Sequence, residues 1–250
     1  MTTPLTHTDH RTAARLAAGA GELLVSLRQR GLEGAELKAA GDRASHEYLM
    51  KELHALVPDD GVLSEEGSDN PLRQHHERVW IVDPLDGTRE FSEPPRSDWA
   101  VHVALTIGSD VVAGAVALPG LGTTFGTADP PVVPAVPPRP PRILVSRTRP
   151  TEHARVVARR LDGELYPMGS AGAKAMAVVR GEADVYAHSG GQYEWDSAAP
   201  VAVARAAGLH VSRLDGSPLR YNQPDPWLPD LLICRPEYAA AVIDLGLESS

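Results

Sequence analysis

One cysteine in 250 residues, Cys234, has no partner within the chain, so an intramolecular disulfide framework is excluded. Its neighbours Leu231-Leu232-Ile233 point instead to a buried strand thiol. Aromatic residues make up only 5% of the chain, which leaves few rings to lie against a flat ligand. Lysine is scarcer still, three against 21 arginines, a bias of base composition that makes each lysine conspicuous. No apolar run approaches membrane-spanning length, and the opening Met1–His10 is polar with no apolar centre of the signal-peptide kind. A cytoplasmic protein without membrane contact is expected. Basic residues number 24 against 33 acidic ones, and the net charge of −9 argues against a nucleic-acid polymer as partner. A small anionic substrate stays open, because divalent cations invert the local sign of an acidic pocket.

At 42% hydrophobic and 23% charged, the composition is that of an ordinary globular protein with material for one large domain or two modest ones. Ala14, Leu16, Ala17, Leu23, Leu24 and Leu27 recur at helical spacing, with Gly31 placed to end the helix. A second helix is predicted from about Asp42 to Leu56, stopped by Pro58. Val62–Ser64 and Val79–Val82 read as strands, Ala100–Ile107 and Val111–Leu118 as a hairpin across Gly108-Ser109-Asp110, and Thr123–Thr127 as a further strand. Pro130–Arg142 holds seven prolines and cannot enter a sheet interior, so it reads as a linker or surface crossover. Beyond it, strands at Ile143–Val145, Leu165, Asp184–Ala187, His210–Ser212 and Leu231–Cys234 are interleaved with helices at Glu152–Leu161, Gly169–Arg180 and Asp196–Ala207. Such alternation suggests layered α/β architecture, and there is no internal repeat.

Acidic residues cluster where these elements end. Ser64-Glu65-Glu66 closes one strand, Asp83-Pro84-Leu85-Asp86-Gly87-Thr88 closes another, and Glu194-Trp195-Asp196-Ser197-Ala198-Ala199 opens a helix. Taken singly, Asp196 reads as a helix cap, Asp83 and Asp86 as turn formers around Pro84, and Glu65 and Glu66 as solvated charges. Their shared position at strand ends favours chemistry, since that edge is where layered α/β folds place their ligands. Carboxylates gathered in one pocket repel and raise each other's pKa, and divalent cations relieve that repulsion. Hard oxygen ligands suit Mg²⁺, and the amides of Gly87 and Thr88 at a helix start suit phosphate. An EF-hand is excluded by the spacing around Pro84, and the Asp-x-Asp-x-Thr of aspartyl-phosphate phosphatases is one residue shorter than the motif here.

Taken in order, these three motifs resemble the inositol monophosphatase superfamily of Mg²⁺-dependent, lithium-sensitive phosphatases. The resemblance implies an αβαβα layered sandwich, α+β in its N-terminal part (residues 1–141) and α/β in its C-terminal part (142–250), with Asp196 supplied across the divide. It implies that Glu65, Asp83 and the Leu85 carbonyl hold one Mg²⁺ and that Asp83, Asp86 and Asp196 hold a second, with two or three ions in all. Asp42, in Gly41-Asp42-Arg43-Ala44, matches the aspartate that pairs with Thr88 to orient the attacking water, although Ala39 stands where a Thr is common; read alone, Asp42 is a helix cap. Direct in-line attack by water, with Glu65, Asp42 and Thr88 as the catalytic group, is the implied chemistry.

Arg89-Glu90-Phe91 after the Asp-Gly-Thr resembles the nucleotidases of the CysQ type, as do Val145-Ser146-Arg147-Thr148-Arg149 and Gly169-Ser170-Ala171-Gly172-Ala173-Lys174. The implied substrate is a small phosphate ester, 3′-phosphoadenosine 5′-phosphate. Its second phosphate would need cationic partners, for which Arg147 and Lys174 are the candidates. Gly87, Thr88, Gly169 and Ser170 are the expected hydrogen-bond donors. Gly190-Gly191-Gln192-Tyr193-Glu194 is expected to loop over the pocket, making Glu194 a specificity candidate, and Tyr193, Trp195 and Tyr221 are the rings available to adenine. Rival readings are an inositol-1-phosphatase or fructose-1,6-bisphosphatase on the same metal core, a non-catalytic nucleotide-bisphosphate sensor, and a structural Mg²⁺ or Ca²⁺ protein. Relatives are often homodimers, a state on which the sequence is silent.

Overall fold

The computed structural model describes residues 5–68, 70–135, 137 and 139–246. Part of the polar opening, residues 1–4, and Val136 and Pro138 of the proline-rich segment lie outside the described residues.

Helix α1 (His7–Arg28) starts at a capping box: the Thr6 hydroxyl accepts from the Asp9 amide, and the Asp9 carboxylate accepts from the Thr6 amide. Its buried face is the apolar stripe Ala13, Leu16, Ala17, Ala20, Leu24 and Leu27. Gly31, at φ 79°, reverses the chain as expected. Helix α2 (Gly34–Leu56) begins about two turns before the predicted start, because Glu36-Leu37-Lys38-Ala39-Ala40 are all strong helix formers. Asp42 therefore lies inside α2 and is not its cap.

Strands β1 (Gly61–Ser64) and β2 (Arg78–Asp86) pair in parallel. β2 runs beyond Val82 through both aspartates, with an irregularity between Asp83 and Asp86, and every residue of it is buried. The four-residue helix α3 (Thr88–Phe91) follows at once, and the predicted hairpin is present as β3 (Ala100–Ile107) and β4 (Asp110–Leu118). β5 (Thr123–Gly126) completes a sheet of order β1-β2-β3-β4-β5.

After the proline-rich crossing come β6 (Arg142–Ser146), α4 (Glu152–Leu161), β7 (Glu164–Met168), α5 (Ala171–Val179) and β8 (Val185–His188). They are followed by β9 (Gln192–Tyr193), α6 (Glu194–Ala206), β10 (His210–Ser212), β11 (Trp227–Leu228), β12 (Leu231–Cys234) and α7 (Pro236–Ile243). The second sheet has the order β10-β12-β8-β6-β7, and β9 pairs with β11. Neither of these two-residue strands nor α7 stands out in the sequence. The expected loop over the pocket is thus corrected: Gln192–Tyr193 is β9, and α6 begins directly after it.

Packing makes five layers, α1 and α2, the first sheet, α5 and α6, the second sheet, then α4 and α7. Alternation along β2 shows how the first sheet is shared. Trp80 and Val82 join the core beneath α1 and α2, while Val79 and Ile81 join the core under α5 and α6. That second core includes residues of both sheets, so neither half of the chain encloses it alone. We propose the division between residues 141 and 142 as a change of sheet rather than a change of core. Cys234 is buried in β12, as expected. Among the described residues no helix is long and apolar enough to cross a membrane.

Candidate active site

The C-terminal end of β2 and the N-terminal ends of α5 and α6 converge on three carboxylates. Asp83, Asp86 and Asp196 each present an oxygen within 4.8 Å of the other two. Asp83 continues the β2 face of Val79 and Ile81, which directs it toward the α5–α6 layer. Asp196 stands at the third position of α6, where its Oδ2 accepts the Tyr193 amide at 2.7 Å. It is therefore a capping-box acid of α6 as well as a member of the cluster.

Asp86 is the most heavily bonded of the three. It accepts from Ser170 Oγ at 2.5 Å, from the Ala171 amide at 3.1 Å and from the Gly172 amide at 2.6 Å. The start of α5 thus closes on a carboxylate of β2, with Ser170 at φ 51° turned to cap the helix through the Ala173 amide. Burial alone would raise the Asp86 pKa, but His102, Ser170 and the Gly172 amide outweigh it and hold the group at about 2.

His102 does not stand out in the sequence. It is the cross-strand partner of Asp83 on β3, it is fully buried, and its Nδ1 donates to the Trp195 carbonyl at 2.9 Å. Its Nε2 lies 3.2 Å from Asp86 Oδ2. A carbonyl can only accept, so Nδ1 carries a proton, and a bare Nε2 lone pair facing a carboxylate would be repelled. The imidazole is therefore held in its charged form: burial depresses its pKa, and pairing with Asp86 more than restores it. A Cβ on Gly172 would stand 2.0 Å from that Nε2, so α5 approaches the ring only because residue 172 is glycine. Replacing His102 by phenylalanine is expected to lower the melting midpoint of the metal-free protein by about 5–10 °C. Mg²⁺ should recover part of that loss by taking over the neutralisation of Asp86. An unchanged midpoint would mean that the imidazole is no counter-charge.

Glu65 follows β1, and its amide donates to the Val82 carbonyl at 3.3 Å, which brings it beside the end of β2. Its carboxyl shares a hydrogen bond with Asp83, and burial with the repulsion of Asp196 and Asp86 lifts its pKa to about 7. Glu65 is not among the three carboxylates that share the 4.8 Å span. Burial and Asp86 lift Asp196 to about 6. Asp83 is also raised, by burial first and then by Glu65 and Asp86.

The turn after β2 is positioned by α2. Gly41 packs so closely that a Cβ would meet Phe91 at 2.7 Å and Leu85 at 2.9 Å, and Ser45 Oγ donates to the Pro84 carbonyl at 2.6 Å. Asp42, next to Gly41, thereby reaches Thr88, whose Oγ1 lies 3.3 Å from Asp42 Oδ1 and 3.1 Å from the Leu85 carbonyl. Burial and the charge of Glu66 lift Asp42 to about 6. Gly87 sits at φ 83° with Ser170, Asp98 and Trp99 against it, a conformation that glycine adopts without strain. The amides of the first α3 turn have no carbonyl of their own helix to serve.

The residues expected to hold the remainder of a substrate mostly have partners inside the protein. Gly169 donates its amide to Asp98 Oδ2 at 2.7 Å and packs on Glu90, so it positions α5 rather than facing outward. Ser170 spends its hydroxyl on Asp86 and on the cap of α5. Glu194 is buried as well, and its oxygens accept the Asn222 and Gln223 amides at 2.7 and 2.8 Å. Tyr221 is fully buried with its hydroxyl 3.2 Å from Ser197 Oγ, which removes it as a stacking surface. Lys174 is buried, donates to the Ser170 carbonyl at 2.8 Å and lies 5.3 Å from the Tyr186 ring centre. Arg147 is held by Glu90 at 2.8 Å and Glu93 at 3.0 Å.

The donor set fits divalent metal ions. It is all hard oxygen, it is anionic, and Asp83 and Asp196 are held above their ordinary pKa in part by repulsion from neighbouring carboxylates, Asp86 in both cases, that a dication would remove.

Residues 7–243 match the model of the inositol monophosphatase family, and the chain belongs to that family. It is 49% identical to the 3′-phosphoadenosine 5′-phosphate phosphatase of Mycobacterium leprae, over 94% of this chain and 92% of that protein. A protein of the same description from Mycobacterium bovis is 50% identical over 90% of this chain and 88% of its own length. Among solved structures, CysQ from Bacteroides thetaiotaomicron superposes with a TM-score of 0.78 at 27% identity, covering 92% of this chain and 97% of that one. Membership carries with it metal-dependent phosphomonoesterase chemistry and the layered αβ fold seen here.

Proposed function

We propose that this protein is a Mg²⁺-dependent 3′(2′),5′-bisphosphate nucleotidase that converts 3′-phosphoadenosine 5′-phosphate and water into AMP and phosphate. The observation that carries this reading is the near half identity, along almost the whole chain, to proteins described as phosphatases of that compound, with the acidic cluster intact.

Asp83, Asp86, Asp196 and the Leu85 carbonyl would hold the ions, with Glu65 beside them. Bound Mg²⁺ would supply Lewis-acid polarisation of the phosphoryl group and of the attacking and departing oxygens. The chain's own residues do the rest. Thr88 donates its hydroxyl proton to Asp42, which leaves the Thr88 oxygen free to accept a hydrogen bond from water and aim it at phosphorus. With a pKa of about 6, Asp42 is poised near neutrality to take the proton that water gives up. The Gly87 and Thr88 amides, at the start of α3, would donate to phosphoryl oxygens. Arg147 is the candidate for the second phosphate, which would displace the exposed Glu93 from it. Lys174 adds a buried positive charge behind the α5 turn.

Phosphate release with Mg²⁺, with and without lithium, tests the reading on 3′-phosphoadenosine 5′-phosphate, inositol 1-phosphate and fructose 1,6-bisphosphate at matched concentrations. A lithium-suppressed preference for the first, by at least about tenfold in kcat/KM, is expected. Preference for either other ester would keep the metal core and overturn the substrate. Silence on all three would favour a sensor that binds without turnover.

A further inference from the structure

In a chain poor in aromatics, three rings meet beside Asp196. Tyr193 stacks on Trp195 with ring centres 4.7 Å apart and planes 12° from parallel, and Trp227 meets Tyr193 edge-on at 5.3 Å. Two of the three rings are open to solvent: Tyr193, which touches both others, is 43% exposed and Trp227 47%. Trp195 packs against the central core, which accounts for it structurally. Core packing does not account for the other two.

The arrangement is built into the fold. β9 and β11 pair with Trp227 opposite Tyr193. Gly191, at φ 74°, lies directly against the Trp227 ring, where a Cβ would stand 1.9 Å from a ring carbon. The rings are also tied to the acidic cluster through the backbone. The Tyr193 amide donates to Asp196, and the Trp195 carbonyl holds His102, which pairs with Asp86. The open rings are thus fixed relative to the place where the phosphate is processed.

We propose that Tyr193 and Trp227, their planes 79° apart, form an L-shaped platform where the nucleobase of the substrate stacks on one ring and meets the other edge-on. This rests on the nucleotide reading above and adds to it the part of the site that reads the base. A flat heteroaromatic ring gains from stacking on exposed aromatic faces, whereas an inositol or sugar ring has no π-face to offer. Continuity with Asp196 places the platform within reach of a base joined through ribose to a phosphate at the acidic cluster.

The test compares the wild type with Tyr193→Ala, Trp227→Ala and Tyr193→Phe on 3′-phosphoadenosine 5′-phosphate and on glycerol 2-phosphate, an ester with no base. Each alanine variant is expected to raise KM for the nucleotide about tenfold with little change in kcat. The nucleotide-to-glycerophosphate ratio of kcat/KM should fall by the same factor, and Tyr193→Phe should keep it. Titration with AMP should quench tryptophan fluorescence in the wild type and quench it less in Trp227→Ala, a readout that needs no turnover. A wild type that prefers the nucleotide while both alanine variants retain its KM overturns the platform alone. A wild type indifferent to the base overturns the nucleotide reading and the platform together. Unchanged KM with a smaller sedimentation coefficient in the alanine variants would assign the rings to contact with a second copy of the chain.

Discussion

Asp86→Asn is expected to lower kcat by roughly 10²–10³-fold at saturating Mg²⁺ while the protein still folds. Two separate losses combine. The carboxylate is one of three oxygen donors in the cluster, and a neutral amide is a weaker donor to a hard cation. The same side chain also receives Ser170 Oγ and the Ala171 and Gly172 amides. An asparagine has one acceptor oxygen for these partners, and its NH₂ would confront either an α5 amide or the protonated His102. The variant should therefore lose about 2 kcal/mol of stability as well as activity, rather than the activity alone. A far-ultraviolet spectrum close to wild type, a midpoint lowered by several degrees and a near-silent phosphate-release assay are the expected set. Wild-type turnover would remove Asp86 from the metal assignment.

What the sequence reveals and what it hides divide along physical lines. The grouping of Asp83, Asp86 and Asp196 is legible because carboxylates gathered at the end of an apolar strand and at a helix start repel one another unless positive charge compensates them. The paired strands Ala100–Ile107 and Asp110–Leu118 are legible because long apolar runs around Gly108 admit little but a hairpin. His102 is hidden because its signal is a single polar residue inside Ala100-Val101-His102-Val103-Ala104, at a position where alternation asks for an apolar side chain facing α6. That break in the pattern is a clue, and only the fold says which carboxylate lies behind it.

Further residues are legible as motifs, but the sequence does not show the structural bonds they also make. Gly169, Ser170 and Glu194 read as ligand contacts because they flank the acidic segments. Gly169 and Ser170 close α5 on Asp98 and Asp86, and Glu194 receives the amides of Asn222 and Gln223. Proximity in sequence to a catalytic residue identifies the supporting shell as readily as the binding surface. The start of α2 misleads for a related reason: Asp42 looks like a cap in sequence, and the helix formers before it carry the helix back past that point. The β9–β11 pair cannot be read at all, because two-residue strands have no periodicity and their partners lie far apart in sequence.

Without metal, the protein is expected to lose stability as the pH rises from about 5 to about 8, the opposite of what its acidic composition suggests. Asp42 and Asp196 are held at about 6 and Glu65 at about 7, against ordinary carboxylate values near 4, and Asp83 is raised too. A carboxyl with a raised folded-state pKa keeps its proton in the folded chain where the unfolded chain has released it. The folded state then binds more protons across this window, so each step upward in pH favours unfolding. His102 acts in the same direction, because its raised pKa contributes stability that begins to fade above about 6.5, where the unfolded chain releases the proton that the folded imidazolium still holds. Asp86, held at about 2, contributes in the other sense, but only below the window in question. For one carboxyl a change of roughly two pKa units corresponds to about 3 kcal/mol, and to about 5–10 °C in the midpoint. Mg²⁺ would bind the deprotonated carboxylates, so the same melts with Mg²⁺ in place of a chelator should lose most of this slope, with the largest stabilisation at the alkaline end. Melting curves at both pH values, with chelator and with Mg²⁺, would decide it. A chelated protein whose midpoint is flat or rises between pH 5 and 8 would mean that the carboxylates do not share the charge-repelled pocket described here, and the metal site would have to be sought elsewhere in the chain.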